Sequence, residues 1–163
     1  MLLYLLLHPL ESYARLAAML GISKSSGHNA IERLVRSGLV HRTGRGEVAV
    51  AVGPATEFIL FGAAYAFPPD LISKARGVPT GLSAPVLRSQ QLADPSPMVW
   101  PSRLGEVVGL GIKPLVPGAP DIALRNPRLY HLLALVDALR VADAREREII
   151  RVELRALLGM ARA

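Results

Sequence analysis

Apolar side chains recur at helical spacing in four separate stretches of this chain, with short β-prone runs between them. Leu16, Ala17 and Leu20 form the apolar side of a helix that Ser12 caps and Gly21 stops. Ala30, Ile31, Leu34 and Val35 do the same for a helix from Lys24 to Ser37, capped by Ser23 and closed by Gly38. Ahead of both, Met1 to His8 reads as a first helix that Pro9 ends, because proline has no backbone N–H to donate. Leu39 to Arg42 and Glu47 to Val52 are β-prone, and Thr43-Gly44-Arg45-Gly46 between them supplies a turn, so a β-hairpin is expected.

Gly53-Pro54 then predicts an interruption, and Ala55 to Phe67 a fourth helix, apolar almost all round and therefore buried or at a subunit interface. The seven prolines from Pro68 to Pro101 exclude long regular elements there, and the apolar residues among them predict a loop packed onto the body. Met98 to Pro101 and Glu106 to Val116 are expected to pair as a second hairpin through Ser102-Arg103-Leu104-Gly105. Asn126 and Pro127 open a helix to about Ala142, with Leu129, Leu132, Leu133, Val136 and Leu139 as its stripe. Asp143 caps a last helix to about Met160, burying Ile149, Ile150, Leu154, Leu157 and Leu158. The expected class is α+β, mostly α. A small module over residues 1–53 is followed by an α+β unit over 54–163 that holds the small hairpin and the helical pair.

Charge sharpens this picture. The chain carries +6 with a pI near 10.3, and between Lys24 and Arg45 five Lys or Arg stand against one acid, Glu32. Once Ala30, Ile31, Leu34 and Val35 face a core, the outward face of that helix is Lys24, Ser25, Ser26, His28, Asn29, Arg33 and Arg36. Such a face suits double-stranded DNA. Ser25, Ser26, His28 and Asn29 lie near the helix start, where side chains reach base edges, and asparagine matches adenine. Lys24 can pair with guanine or phosphate, Arg33 and Arg36 suit phosphates, and Arg42 and Arg45 on the hairpin suit the backbone or an adjacent minor groove.

The segment from Arg15 to Val40 resembles the winged helix-turn-helix of MarR-type regulators. Ala17, Gly21, Ile22 and Ser23 match that family's small residue, turn glycine, apolar anchor and cap, and Leu34 with Gly38-Leu39-Val40 matches its run into the wing. Gly27 departs from the pattern, since such helices place valine or another core residue there. Loosened packing is expected, with a helix-propensity cost of roughly 1 kcal/mol. The back half, including Tyr65-Ala66-Phe67-Pro68, Val99-Trp100-Pro101 and the stretch from Leu129 to Arg140, resembles uncharacterised bacterial winged-helix proteins. The resemblance implies a bacterial transcription regulator.

Other chemistry finds little support. There is no cysteine, which removes thiolate metal sites and fits a reducing cytoplasm. His8, His28, His41 and His131 lack metal-ligand spacing. Gly109-Leu110-Gly111 lacks the setting and third glycine of a dinucleotide fingerprint. Asp121, Asp137 and Asp143 read as caps or surface residues, and Trp100 as a core residue before a pocket wall. No enzyme activity, cofactor or metal is expected. The mean hydropathy is +0.33, yet no apolar run approaches the ~20 residues of a membrane span.

The expected function is a sequence-specific, dimeric transcriptional repressor, its two heads reading half-sites about one helical turn apart. The helix Ala55 to Phe67 or those after Asn126 would supply the dimer contact. The alternative is an antitoxin or adaptor whose C-terminal unit grips a protein partner while the winged helix autoregulates. A third reading gives the proline-rich middle a ligand-sensing role.

Overall fold

A computed structural model describes residues 1–8, 10–43, 47–90 and 96–160. The protein is α+β and mostly helical. Its internal contacts divide it into two compact units, Met1–Phe58 with Leu158–Ala163, and Ile59–Leu157.

In the first unit the order is α1 (Leu2–Leu7), β1 (Leu10–Ser12), α2 (Tyr13–Met19), α3 (Lys24–Arg36), β2 (Val40–Arg42), β3 (Glu47–Val50) and α4 (Val52–Glu57). Tyr4, Leu5, Leu16, Ile31 and Val48 are almost wholly excluded from water, each contributing about 1.5–3 kcal/mol of hydrophobic stabilisation. The expected hairpin is present, and β1 joins it as a third strand that local pattern does not announce. Strand β3 lies in the middle, antiparallel to both neighbours, with Ala49 opposite Leu10 on one side and His41 on the other. Val48 and Val50 point inward while Glu47 and Ala49 are half-buried, the two-residue period of a strand with one covered face. Strand β3 stops at Val50, short of the expected Val52, which begins α4. Gly53 and Pro54 do not interrupt. They sit in the first turn of α4, where an absent N–H removes no intrahelical bond.

From Phe58, the last residue of the first unit's main segment, a π-helical turn (Phe58–Gly62) leads into α5 (Ala63–Ala66), so the expected helix to Phe67 exists but is not uniformly α. The π turn changes the backbone pairing, and the Leu60 carbonyl accepts from Arg151 Nε at 3.0 Å. The proline-rich stretch is not free of long elements. Strand β4 (Leu71–Pro79) has nine residues, with prolines bounding it at 68, 69 and 79 rather than breaking it. The expected second hairpin is also corrected. Strands β5 (Met98–Pro101) and β6 (Val107–Ile112) are both antiparallel to β4 and parallel to one another, so the three close into a ring.

Glycine makes that ring possible. A Cβ on Gly77 would lie 2.0 Å from the Trp100 carbonyl oxygen, and one on Gly105 1.9 Å from the Gly77 carbonyl group. The link between β5 and β6 therefore crosses β4 backbone against backbone. Gly109, set aside above as a nucleotide motif, serves the same closure against Pro97.

Helix α6 (Ala119–Arg125) is an addition to the expected elements, and α7 (Pro127–Val141) and α8 (Ala144–Met160) match the predicted pair. Asn126 Oδ1 accepts the Leu129 N–H at 3.0 Å. Asp143 and Glu146 form a reciprocal capping box, at 2.8 and 2.9 Å. Helix α7 is buried continuously from Leu132 to Arg140, a central helix and not an amphipathic one. Along α8, Arg147, Arg151 and Arg155 recur every four residues. Arg147 lies over the Tyr65 ring at 5.7 Å, and Arg151 and Arg155 over Phe61 at 4.8 and 5.9 Å. Tyr65 nevertheless remains 73% exposed and Phe61 46%.

Candidate nucleic-acid interface

The first unit builds its cationic helix with three local devices. Helix α2 ends in a Schellman turn: Gly21 takes φ 62°, Ile22 N–H donates to the Ala17 carbonyl at 3.1 Å, and Gly21 N–H to Ala18 at 3.3 Å. Ser23 then caps α3, its hydroxyl accepting the Ser26 N–H at 3.1 Å. Helix α3 closes with the same turn as α2: Gly38 takes φ 71°, and Leu39 N–H donates to Leu34 at 3.0 Å. These turns fix the exit of each helix and deliver the chain into β2.

Packing sets which side of α3 faces out. Ile31 is fully buried and Gly27 is buried against α2, where an added Cβ would stand 3.3 Å from Ala17 Cβ. Gly27 does not leave the expected looseness. It fills its place because Ala17 approaches so closely that valine would overpack the contact. With Gly27 and Ile31 inward, Lys24, Ser25, Ser26, His28, Asn29, Arg33 and Arg36 are all exposed on the remaining surface. The sequence-predicted face is thus brought together on one helix. Ser26 is partly engaged in the cap, accepting from the Ser23 hydroxyl at 2.9 Å.

Two hairpin residues complete the expected set. Arg42 is half-exposed on β2 and ion-paired with Glu32 of α3, so strand and helix share a charge contact. His28 Nε2 stands 3.7 Å from the same Glu32 oxygen. The helical spacing of His28 and Glu32 was a legible signal for the second contact; the first joins residues ten apart through the fold. Arg45 lies outside the described residues. Thr43 follows β2, its N–H donating to the Glu47 carbonyl at 3.0 Å. Electrostatically the face offers guanidinium and ammonium groups with one partly neutralised carboxylate, an arrangement suited to holding polyanions.

A second polar cluster, in the other unit, has a different character. Asp137 is 1% exposed, not the cap or surface residue expected. It accepts from Trp100 Nε1 at 2.5 Å, Thr80 Oγ1 at 3.0 Å and Arg140 Nη1 at 2.6 Å. Arg140 also donates to the carbonyls of Phe67 at 2.7 Å and Pro68 at 2.9 Å. Burial pushes the Asp137 carboxyl above its ordinary range, against the opposing pull of Trp100, Arg140 and Thr80. These partners tie α7 to the ring and to the chain after α5, and Trp100 serves there as a core residue. His131 on α7 is half-buried, and burial lowers its pKa. Among the described residues no three His, Cys, Asp or Glu are grouped to hold a metal ion, and no helix is long and apolar enough to cross a membrane. No protein-family model, curated protein or solved structure matches this chain.

Proposed function

We propose that the first unit is a winged helix-turn-helix of MarR-like type that lays α3 in the major groove of double-stranded DNA. The protein is then a cytoplasmic, sequence-specific transcription regulator, a dimeric repressor and not an enzyme. The observation that carries this reading is the complete outward exposure of the face from Lys24 to Arg36. The order of helices and strands around that face, with a three-stranded sheet beside it, suits a wing following the groove-reading helix. Ser25, Ser26, His28 and Asn29 read bases; Lys24, Arg33 and Arg36 hold phosphates; Arg42 and Arg45 belong to the wing.

Two single substitutions test the docking. Asn29→Ala relaxes sequence choice at one position, narrowing discrimination by about 1–3 kcal/mol, with little loss on random duplex. Arg36→Ala weakens all sequences alike and flattens the log–log salt slope by about one unit. Fluorescence anisotropy across a salt series reads both. Binding left untouched by both changes refutes this pose.

The dimer contact is assigned to the exposed aromatic pair Phe61 and Tyr65, one helical turn apart, which resembles the aromatic centre of protein interfaces. Light scattering at micromolar concentration should give twice the 17.5 kDa of one chain, and Phe61→Glu with Tyr65→Glu should give the monomer. A wild-type monomer under those conditions rejects the dimer. The same aromatic face, flanked by Arg147, Arg151 and Arg155, favours a second reading, an adaptor or antitoxin that grips a protein partner through this unit.

A further inference from the structure

Glu32 is an oddity on a surface meant for phosphates. It is the one acid between Lys24 and Arg42, and it sits mid-helix among Lys24, Arg33 and Arg36. A carboxylate there repels a polyanion and lowers affinity unless its charge is put to use. Its environment indicates the use. The side chain is 28% exposed and its Oε1 engages the Arg42 guanidinium of β2, while His28 Nε2 lies 3.7 Å from that oxygen. Arg42 is itself 51% exposed, so its guanidinium lies where solvent or a phosphate reaches it.

We propose that Glu32 is a specificity-determining residue: by engaging Arg42 it withholds that guanidinium from the phosphates of non-cognate DNA. The inference rests on the groove-docking reading given above. On a duplex that fits α3 poorly, the wing stands off the backbone, Arg42 stays with Glu32, and one phosphate contact is not made. On a duplex that fits, a phosphate brought close competes for Arg42 and the contact forms. Discrimination then rises because binding to the wrong sequence is held down. A purely structural pair at this degree of exposure would add a little stability and leave sequence preference alone.

The test measures binding by anisotropy over a salt series on two duplexes, one of random sequence and one enriched from a random library by the wild-type protein. Glu32→Ala should bind the random duplex about tenfold more tightly and steepen its salt slope by about 0.9, the signature of one added phosphate contact. The gain on the enriched duplex should be smaller, so the ratio between the two falls. Glu32→Ala with Arg42→Ala should return both random-duplex values to wild type. Glu32→Gln, which keeps the shape and a neutral acceptor, should act in the same direction by less.

A random-duplex affinity and slope that Glu32→Ala does not change overturn the proposal. So does a double variant that keeps the gain, since removing a negative charge would then explain everything without Arg42. Wild-type protein that binds no duplex even at low salt is a separate outcome. It rejects groove docking itself, and this inference with it.

Discussion

Arg33→Glu combined with Arg36→Glu should lower affinity for duplex DNA by at least about 10³-fold at moderate salt, through counterion release and direct repulsion together. Both arginines are exposed on the last turns of α3, so the change removes two proposed phosphate contacts and sets two carboxylates in their place. Net charge falls by four, from +6 to +2, and the salt slope should drop by about 1.8 for the two lost contacts. Stability also enters, because cations suit the C-terminal end of a helix dipole, and each reversal there costs about 0.3–1 kcal/mol. Arg33→Gln with Arg36→Gln separates the two effects, since it leaves no repelling charge and little dipole penalty. Thermal melts should find both proteins folded, with the Gln pair intermediate in DNA affinity. Undiminished binding by the folded Glu pair would mean that α3 does not face the duplex.

Asp137→Ala is expected to be the most destabilising of the side-chain changes considered. It leaves Arg140, 6% exposed, as a buried charge without its carboxylate, and breaking such a pair costs about 3–5 kcal/mol. Trp100 and Thr80 lose their acceptor at the same time. The melting temperature should fall by about 6–20 °C. Asp137→Asn, which retains an acceptor, should lose less. The pH dependence carries its own sign. Burial raises the folded-state pKa of Asp137 above its ordinary value of 3.8, so through the interval between the two the folded form binds more protons than the unfolded one. The contribution of this group is therefore most favourable below that interval and is lost as pH rises through it, the reverse of a carboxylate whose pKa is depressed. Denaturant titrations from pH 3 upward on wild type and Asp137→Asn should differ by that slope. Identical slopes would show that the carboxyl titrates alike in both states.

What the amino-acid order made legible follows a physical rule. Helices declare themselves over a few residues. Ser12, Ser23, Asn126 and Asp143 were expected as caps, and each accepts the backbone N–H three residues on. The exposed face of α3 followed from its apolar stripe alone. Pairings between distant strands leave no such trace. Strand β1 is three residues long beside a proline, and nothing within it announces Ala49 as a neighbour. Strand β4 is exposed along its first residues and so lacks the alternation that marks a half-buried strand. The parallel relation of β5 and β6 comes from their shared partner, whereas the short link between them suggested a hairpin. Asp137 and Arg140 were readable as an i,i+3 pair. Their burial was not, because Trp100 and Thr80 come from 37 and 57 residues away. Arg42 could be placed on a strand from its surroundings, yet its engagement with Glu32 belongs to the fold.

The crossing of Gly105 over Gly77 restricts how this molecule can change through descent. Most surface positions tolerate drift, but at this point two main chains occupy the space that one methyl group would need. A side chain at Gly105 would meet the Gly77 carbonyl and one at Gly77 would meet the Trp100 carbonyl, so in both cases what would have to give way is peptide backbone. Two glycines twenty-eight positions apart therefore form a fingerprint for distant kin of this second unit, one that should outlast overall sequence identity.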